Sequence, residues 1–236
     1  MSNDSLVIVV NNYPYDEELK TAWGFSSFIK FNEYNILFDT GPDGDTLLFN
    51  MNKLKIDPLE INFLILSHYH NDHIGGLNSF INKNPDVKIY IPKSFPENFK
   101  KDLIKREFKI FENEKKLKIS DNIYLMLESN KIIEQHLIIE SEEGLIIVTG
   151  CAHPGIVKIV NETLDNFQNK IFLLVGGFHL FDKTPDDIEN IVNEIYKLNI
   201  ENISPSHCTG DEAIKLFQEK FKERYIKSGV GKIIYF

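Results

Sequence analysis

Along the whole chain, short apolar runs of strand length alternate with stretches whose apolar residues recur at helical spacing. In the first half, residues 6–10, 27–31, 35–38 and 63–66 read as strands, punctuated by Gly24, Gly41 and Gly44, while 43–54 and 72–82 read as helical or partly helical. The second half repeats the style. Residues 123–127, 137–140, 145–149, 172–175 and 233–236 look like strands, and 155–167, 185–198 and 211–221 carry helical periodicity, with Pro185 and Asp186 suited to a helix start. Strand pairs come early in each half and helices later, which predicts two packed sheets covered by helices on both outer faces. No Ser, Pro or Gly-rich linker and no internal period interrupts the pattern, so a single domain over residues 1–236 is expected. The lysine and glutamate-rich stretch 100–118 reads as a solvated face around an exposed helix or loop.

Composition adds limits to this picture. At 236 residues and 42% hydrophobic content the chain can bury a core without crosslinks, and its two cysteines, Cys151 and Cys208, are too few for a disulfide framework. The N-terminus is polar before a strand-length apolar run, and no run approaches the roughly 20 residues that cross a bilayer. A cytoplasmic protein without membrane attachment is expected. The net charge of −9 opposes broad binding to nucleic acid, which relies on clustered Lys and Arg.

The seven histidines change the picture most. Three fall in the hexamer His68-Tyr69-His70-Asn71-Asp72-His73, after the apolar run 63–66 and before Gly75-Gly76. By composition such a pattern arises by chance in roughly a few per ten thousand chains of this length. In an extended segment residues two apart point the same way, so His68 and His70 can aim at one cation, while the turn that follows swings Asp72 and His73 toward a second. Neutral imidazoles with a hard carboxylate suit Zn, Fe or Mn, and Gly75 and Gly76 are read as letting the backbone turn tightly into a helix. His153, His179 and His207 each follow an apolar strand inside a glycine-marked turn, a context that gathers distant residues at one sheet edge. His136 lacks that context and is read as structural. Cys151 and Cys208 flank two of these turns and are read as small buried residues, with a ligand or reactive-thiol role as the alternative.

These segments resemble the metallo-β-lactamase superfamily over almost the whole chain, and Phe38-Asp39-Thr40-Gly41 resembles its early Asp-Thr-Gly turn. The resemblance implies a four-layer αββα sandwich with two divalent metal ions, zinc first and Mn, Fe or Mg as the alternatives. It assigns His68, His70 and His153 to one metal and Asp72, His73 and His207 to the other, with Asp39 supporting the metal loop from behind. Gly24-Phe25-Ser26, Thr149-Gly150-Cys151-Ala152-His153-Pro154-Gly155, Gly176-Gly177-Phe178-His179-Leu180, Ser206-His207-Cys208-Thr209-Gly210 and Gly229-Val230-Gly231-Lys232 are similar to a narrower group. That group includes the synthase of methanopterin biosynthesis, which joins a dihydropterin methyl diphosphate to a ribofuranosylaminobenzene phosphate. In one respect the chain departs from the superfamily. Many members place a bridging aspartate at the end of the strand that here finishes in Gly176-Gly177-Phe178-His179, and no carboxylate occurs before Asp182.

The resemblance implies a dinuclear enzyme acting on a phosphorylated, pterin-like or nucleotide-like small molecule. Asp72 and His179 are the expected catalytic groups, His179 facing substrate phosphate, with Trp23, Phe25 and Phe178 as stacking candidates and Lys232 as a phosphate contact. A hydrolase of phosphodiester type, using metal-activated water, is the first alternative; a non-catalytic metal or ligand-binding protein is the second.

Overall fold

A computed structural model describes residues 4–236. Close contacts group them into two compact units, one running to Glu114 and including Gly229–Phe236, the other spanning Lys115–Ser228.

The first unit is a seven-stranded sheet built from β1 (Ser5–Val10), β2 (Ser26–Phe31), β3 (Tyr34–Phe38), β4 (Phe63–Ile65), β5 (Lys88–Pro92), β6 (Lys109–Asn113) and β13 (Ile233–Tyr235), in the order β13-β1-β2-β3-β4-β5-β6. β13, β1, β2 and β3 run antiparallel; β3 to β6 are parallel. Parallel pairing needs crossovers, supplied by segments carrying α1 (Gly44–Lys53), α2 (Asn71–Ile74), α3 (Leu77–Ile81) and α4 (Glu97–Lys105). α1 begins where Asp43 caps it, its Oδ1 accepting the Thr46 N–H at 2.7 Å. Leu37, Leu64 and Ile89 of the sheet pack with Leu47 and Met51 of α1 and Phe80 of α3, all 0% exposed. Burial of each such side chain stabilises the unit by about 1.5–3 kcal/mol.

The second unit is a six-stranded sheet of β7 (Lys116–Ser120), β8 (Ile123–Ser129), β9 (Ile133–Glu140), β10 (Leu145–Thr149), β11 (Ile171–Gly177) and β12 (Asn202–Ser206), ordered β12-β11-β10-β9-β8-β7. β7 to β10 form an antiparallel meander, and β10, β11 and β12 are parallel. α5 (Ile156–Asn166) and α6 (Pro185–Lys197) make the crossovers, and α7 (Asp211–Phe221) follows β12. Ile188, Val192 and Ile195 bury one stripe of α6, which starts at Pro185 with Thr184 as its cap. The parallel strands β10 to β12 end together, so the loops 150–155, 178–184 and 207–210 leave from one edge.

Most of stretch 100–118 is exposed, as expected of a solvated face, but strands run through it. It holds the end of α4, all of β6 and the start of β7. Lys100 is 4% exposed, its Nζ donating to Glu97, Glu112 and the Lys93 carbonyl at 2.7–2.8 Å. The charge density marks β6 and β7 as sheet edges, where lysines deter pairing with another chain. Among the described residues no helix is long and apolar enough to cross a membrane.

Candidate metal centre

In the first unit the loop after β4 carries His68, His70, Asp72 and His73, and its geometry is set by Asp39, which is 0% exposed. Asp39 Oδ1 accepts the Ser67 N–H at 2.7 Å; Oδ2 accepts the Ser67 hydroxyl and His73 Nδ1–H, both at 2.7 Å. A carboxylate only accepts, so Ser67 spends its one hydroxyl proton on Asp39. Ser67 Oγ must then accept from His68 Nδ1, 2.9 Å away. The chain of hydrogen bonds fixes both tautomers and turns the Nε2 lone pairs of His68 and His73 toward a ligand role. Nε2 of His68 lies 3.0 Å from Nδ1 of His70, and Nε2 of His73 lies 3.7 Å from Asp72 Oδ2. Two imidazole nitrogens at that spacing approach the ~3.3 Å edge of a tetrahedron of nitrogens bound about 2.0–2.1 Å from zinc. The donor set therefore fits a divalent ion.

Thr40 completes the support, its N–H and hydroxyl both donating to the His73 carbonyl at 2.7 and 3.0 Å. The expectation for Gly75 and Gly76 is corrected here. Both have ordinary helical φ, −64° and −79°. They are glycine because a Cβ at Gly75 would collide with the Pro42 carbonyl and one at Gly76 with the Thr40 carbonyl. The two residues let the Asp39-Thr40-Gly41 turn lie directly on the metal loop.

In the second unit His153, His179 and His207 leave the ends of β10, β11 and β12 respectively. The rings of His153 and His179 stand 4.2 Å apart. His207 is buried, and His207, His179 and Ala152 all have positive φ, 49°, 51° and 58°. Left-handed backbone at non-glycine residues costs about 1–3 kcal/mol and concentrates at functional loops.

Sequence reasoning missed Glu134, the second residue of β9. It is 0% exposed; its Oε1 accepts the N–H groups of Cys151 and Ala152 at 2.8 and 2.9 Å, and its Oε2 accepts that of His153 at 2.9 Å. The only signal was a polar triplet, Glu134-Gln135-His136, opening an otherwise apolar strand. His136 is fully buried, both ring nitrogens lack a hydrogen-bond partner among the described residues, and burial pushes its pKa down to about 3. It is a neutral core residue.

Cys151, Cys208 and His179 converge, with one ligand atom from each lying within 4.8 Å of the others. Burial raises the Cys208 thiol, but hydrogen bonds involving Cys151 and His179 outweigh it and hold the pKa well below the usual thiol value. The same hydrogen bond to Cys208 raises His179 above its ordinary pKa, against the lowering effect of its own burial.

The stacking candidates divide. Phe178 is 1% exposed and packs edge-on against Phe217 at 5.5 Å, and Phe25 is 0% exposed against Phe38. Phe25 is a core residue, a correction to its reading as a stacking candidate, whereas Phe178, though packed against the core, also lines the cavity beside His153 and His179. Trp23 is 55% exposed. Lys232 lays its ammonium 4.8 Å from the Tyr15 ring centroid. Beside His153 and His179, within the second unit, a cavity of about 620 Å³ opens between α5 and α6.

Residues 24–166 match the metallo-β-lactamase superfamily. The chain is 32% identical, over 85% of its length and 84% of the relative's, to the 7,8-dihydropterin-6-methyl-4-(β-D-ribofuranosyl)-aminobenzene-5'-phosphate synthase of Methanocaldococcus jannaschii. An uncharacterized protein of the same organism is 26% identical over 96% of this chain and 98% of its own. Among solved structures, a metal-dependent hydrolase of the β-lactamase superfamily superposes with a TM-score of 0.83 at 24% identity, over 99% of both chains. The fold protein YhfI of Bacillus subtilis does so with a TM-score of 0.72 at 12% identity, over 99% of this chain and 100% of its own.

Proposed function

Because the chain belongs to the metallo-β-lactamase superfamily, we propose that it is a dinuclear metal-dependent enzyme acting on a phosphorylated small molecule. His68, His70 and His153 hold one ion, and Asp72, His73 and His207 the other. The observation that carries this reading is the hydrogen-bond chain Asp39–Ser67–His68, together with Asp39–His73, which commits two Nε2 lone pairs to a ligand role in a loop that also presents His70 and Asp72. A buried network of that kind orients metal ligands and raises their basicity.

The substrate class follows the relative. A dihydropterin bearing a methylene diphosphate is the electrophile, and an aminobenzene ring carrying a ribofuranosyl phosphate is the nucleophile. The amine nitrogen of the aminobenzene bonds to the methylene, the methylene–oxygen bond to diphosphate breaks, and the nitrogen loses a proton. Divalent ions supply charge neutralisation to the departing diphosphate. The chain's own residues position and accept. His179, half-buried beside His153, donates a ring N–H to phosphate oxygen, and Asp72 keeps a carboxylate at the first unit's loop. The cavity between α5 and α6 has an apolar floor of Ile156, Val157 and Ile191. At its rim Glu162, Asp165 and Glu194 outnumber Lys158 and Lys183. That balance suits a planar ring rich in N–H donors, such as a pterin, and turns phosphate away toward the histidines.

Metal analysis of the purified chain tests the centre: close to two equivalents are expected from these ligands, with a clear loss in His70→Ala. Incubation with the two synthase substrates tests the reaction. Pyrophosphate released with a new carbon–nitrogen product is the expected result. Turnover of bis(4-nitrophenyl) phosphate without that product would replace the transferase by a hydrolase, and absence of bound metal would end the reading.

A further inference from the structure

Beyond the dinuclear reading, the second unit gathers a set of soft ligands that the superfamily pattern leaves unused. Cys151 lies just past the end of β10, His179 two residues past β11, and Cys208 two residues past β12. Three neighbouring parallel strands thus deliver two thiols and an imidazole to one place, with their ligand atoms mutually within 4.8 Å. Both cysteines are nearly sealed, at 3% and 2% exposure, and neither is held in a disulfide. Cys208 Sγ also approaches the Cys151 carbonyl at 3.5 Å. The pocket for sulfur is made by a missing side chain: a Cβ on Gly177 would stand 2.7 Å from Cys208 Sγ and 3.3 Å from Cys151 Cα. This is the strand end where the superfamily's bridging carboxylate is expected and where the chain carries none.

We infer that Cys151, His179 and Cys208 form a further site for one thiophilic divalent ion, such as zinc, within the second unit, with Cys151 shared, since its ligand atom also groups with that of His207. Zinc bound tetrahedrally by sulfur at about 2.3 Å and nitrogen at about 2.0 Å sets its ligand atoms roughly 3.5–3.8 Å apart, inside the 4.8 Å limit within which these three atoms lie. Loading the site displaces two thiol protons, so Zn²⁺ exchanges for 2 H⁺ and the buried complex is neutral. The fourth position is left to water or substrate. His179 coordinates through one nitrogen and keeps an N–H on the other, so its proposed contact with phosphate survives. At saturating zinc this ion comes in addition to those of the dinuclear centre.

The site is tested apart from the dinuclear centre by removing the first unit's imidazoles. His68→Ala/His70→Ala/His73→Ala full-length chain, reduced and titrated with Co²⁺, is expected to bind one ion with a near-ultraviolet thiolate-to-cobalt charge-transfer band. That band should fall to about half when one of two sulfurs is removed, in Cys151→Ser and again in Cys208→Ser. The unsubstituted chain supplies a second readout that does not depend on the variants folding. Zinc should slow modification of both thiols by a disulfide reagent about tenfold or more, since only a free thiolate attacks. A cobalt complex without the band, a band unchanged in both serine variants, thiols equally reactive with zinc, or a Cys151–Cys208 disulfide in the purified chain would each overturn the inference. None of these would touch the dinuclear reading, which stands or falls on His70→Ala.

Discussion

Replacing Glu134 by glutamine keeps the shape of the side chain and changes only what it can accept. In the native chain the carboxylate takes three backbone N–H groups from consecutive residues, two at Oε1 and one at Oε2. The amide oxygen of the introduced glutamine can keep Cys151 and Ala152, but its NH₂ then faces the N–H of His153, donor against donor. One charge-assisted bond worth about 1.5–3 kcal/mol is lost and a buried N–H is left unpaired, while the two remaining bonds weaken from charged to neutral acceptance. A total near ~3 kcal/mol corresponds to about 6–12 °C in Tm for a chain of this length, taking roughly 2–4 °C per kcal/mol. Because His153 is the residue whose backbone is released, metal affinity should also fall, by about 10–100-fold if Glu134 acts as ligand supports generally do. Thermal unfolding followed by circular dichroism gives the first quantity, and competition for Zn²⁺ against a chromophoric chelator gives the second. A Glu134→Gln chain that melts within a degree or two of the parent and binds zinc equally well would show that the carboxylate does not hold the loop.

Two further outcomes follow from the same physical reading. His136, held neutral by burial with a pKa of about 3, titrates near 6.5 once unfolded. The unfolded chain then binds the extra proton below pH 6.5, so this contribution is complete above that pH and is lost at about 1.4 kcal/mol per unit as pH falls toward about 3. His136→Leu should flatten the acid limb of stability by about 2 kcal/mol at pH 5, and superimposable acid limbs in urea titrations would contradict it. Gly75→Ala leaves the backbone angles permitted and adds only a Cβ facing the Pro42 carbonyl. The overpacking should lower stability by about 1–3 kcal/mol, and an unchanged Tm would mean that the turn at Pro42 yields freely.

The histidine loops could be read from the sequence because metal binding demands particular residue types at particular spacings, and a strand followed by a glycine-marked turn is a local signal. Asp39 was legible only through the resemblance of Phe38-Asp39-Thr40-Gly41 to the superfamily's early turn. Glu134 was not, since one carboxylate near the start of a strand has no spacing to recognise, and its three partners lie 17 to 19 residues along the chain. The polar residues 134–136 also hid the true start of β9, which begins at Ile133 rather than at residue 137. Phe25 was misjudged because adjacency to a motif says nothing about direction; its ring is fully buried against Phe38. The two strands within stretch 100–118 were missed for a related reason. Edge strands carry charge to deter pairing, so their composition imitates a loop.

Both units use one device in different forms. In the first, Asp39 holds side chains: it fixes the tautomer of His73 directly and that of His68 through Ser67. In the second, Glu134 holds backbone: it gathers three successive N–H groups, that of His153 among them. The difference has a chemical consequence. An imidazole fixed through its own Nδ1 is committed to binding through Nε2, whereas a backbone clamp sets only where the side chain leaves the chain. In the proposed centre His68 and His73 are therefore the more preorganised ligands.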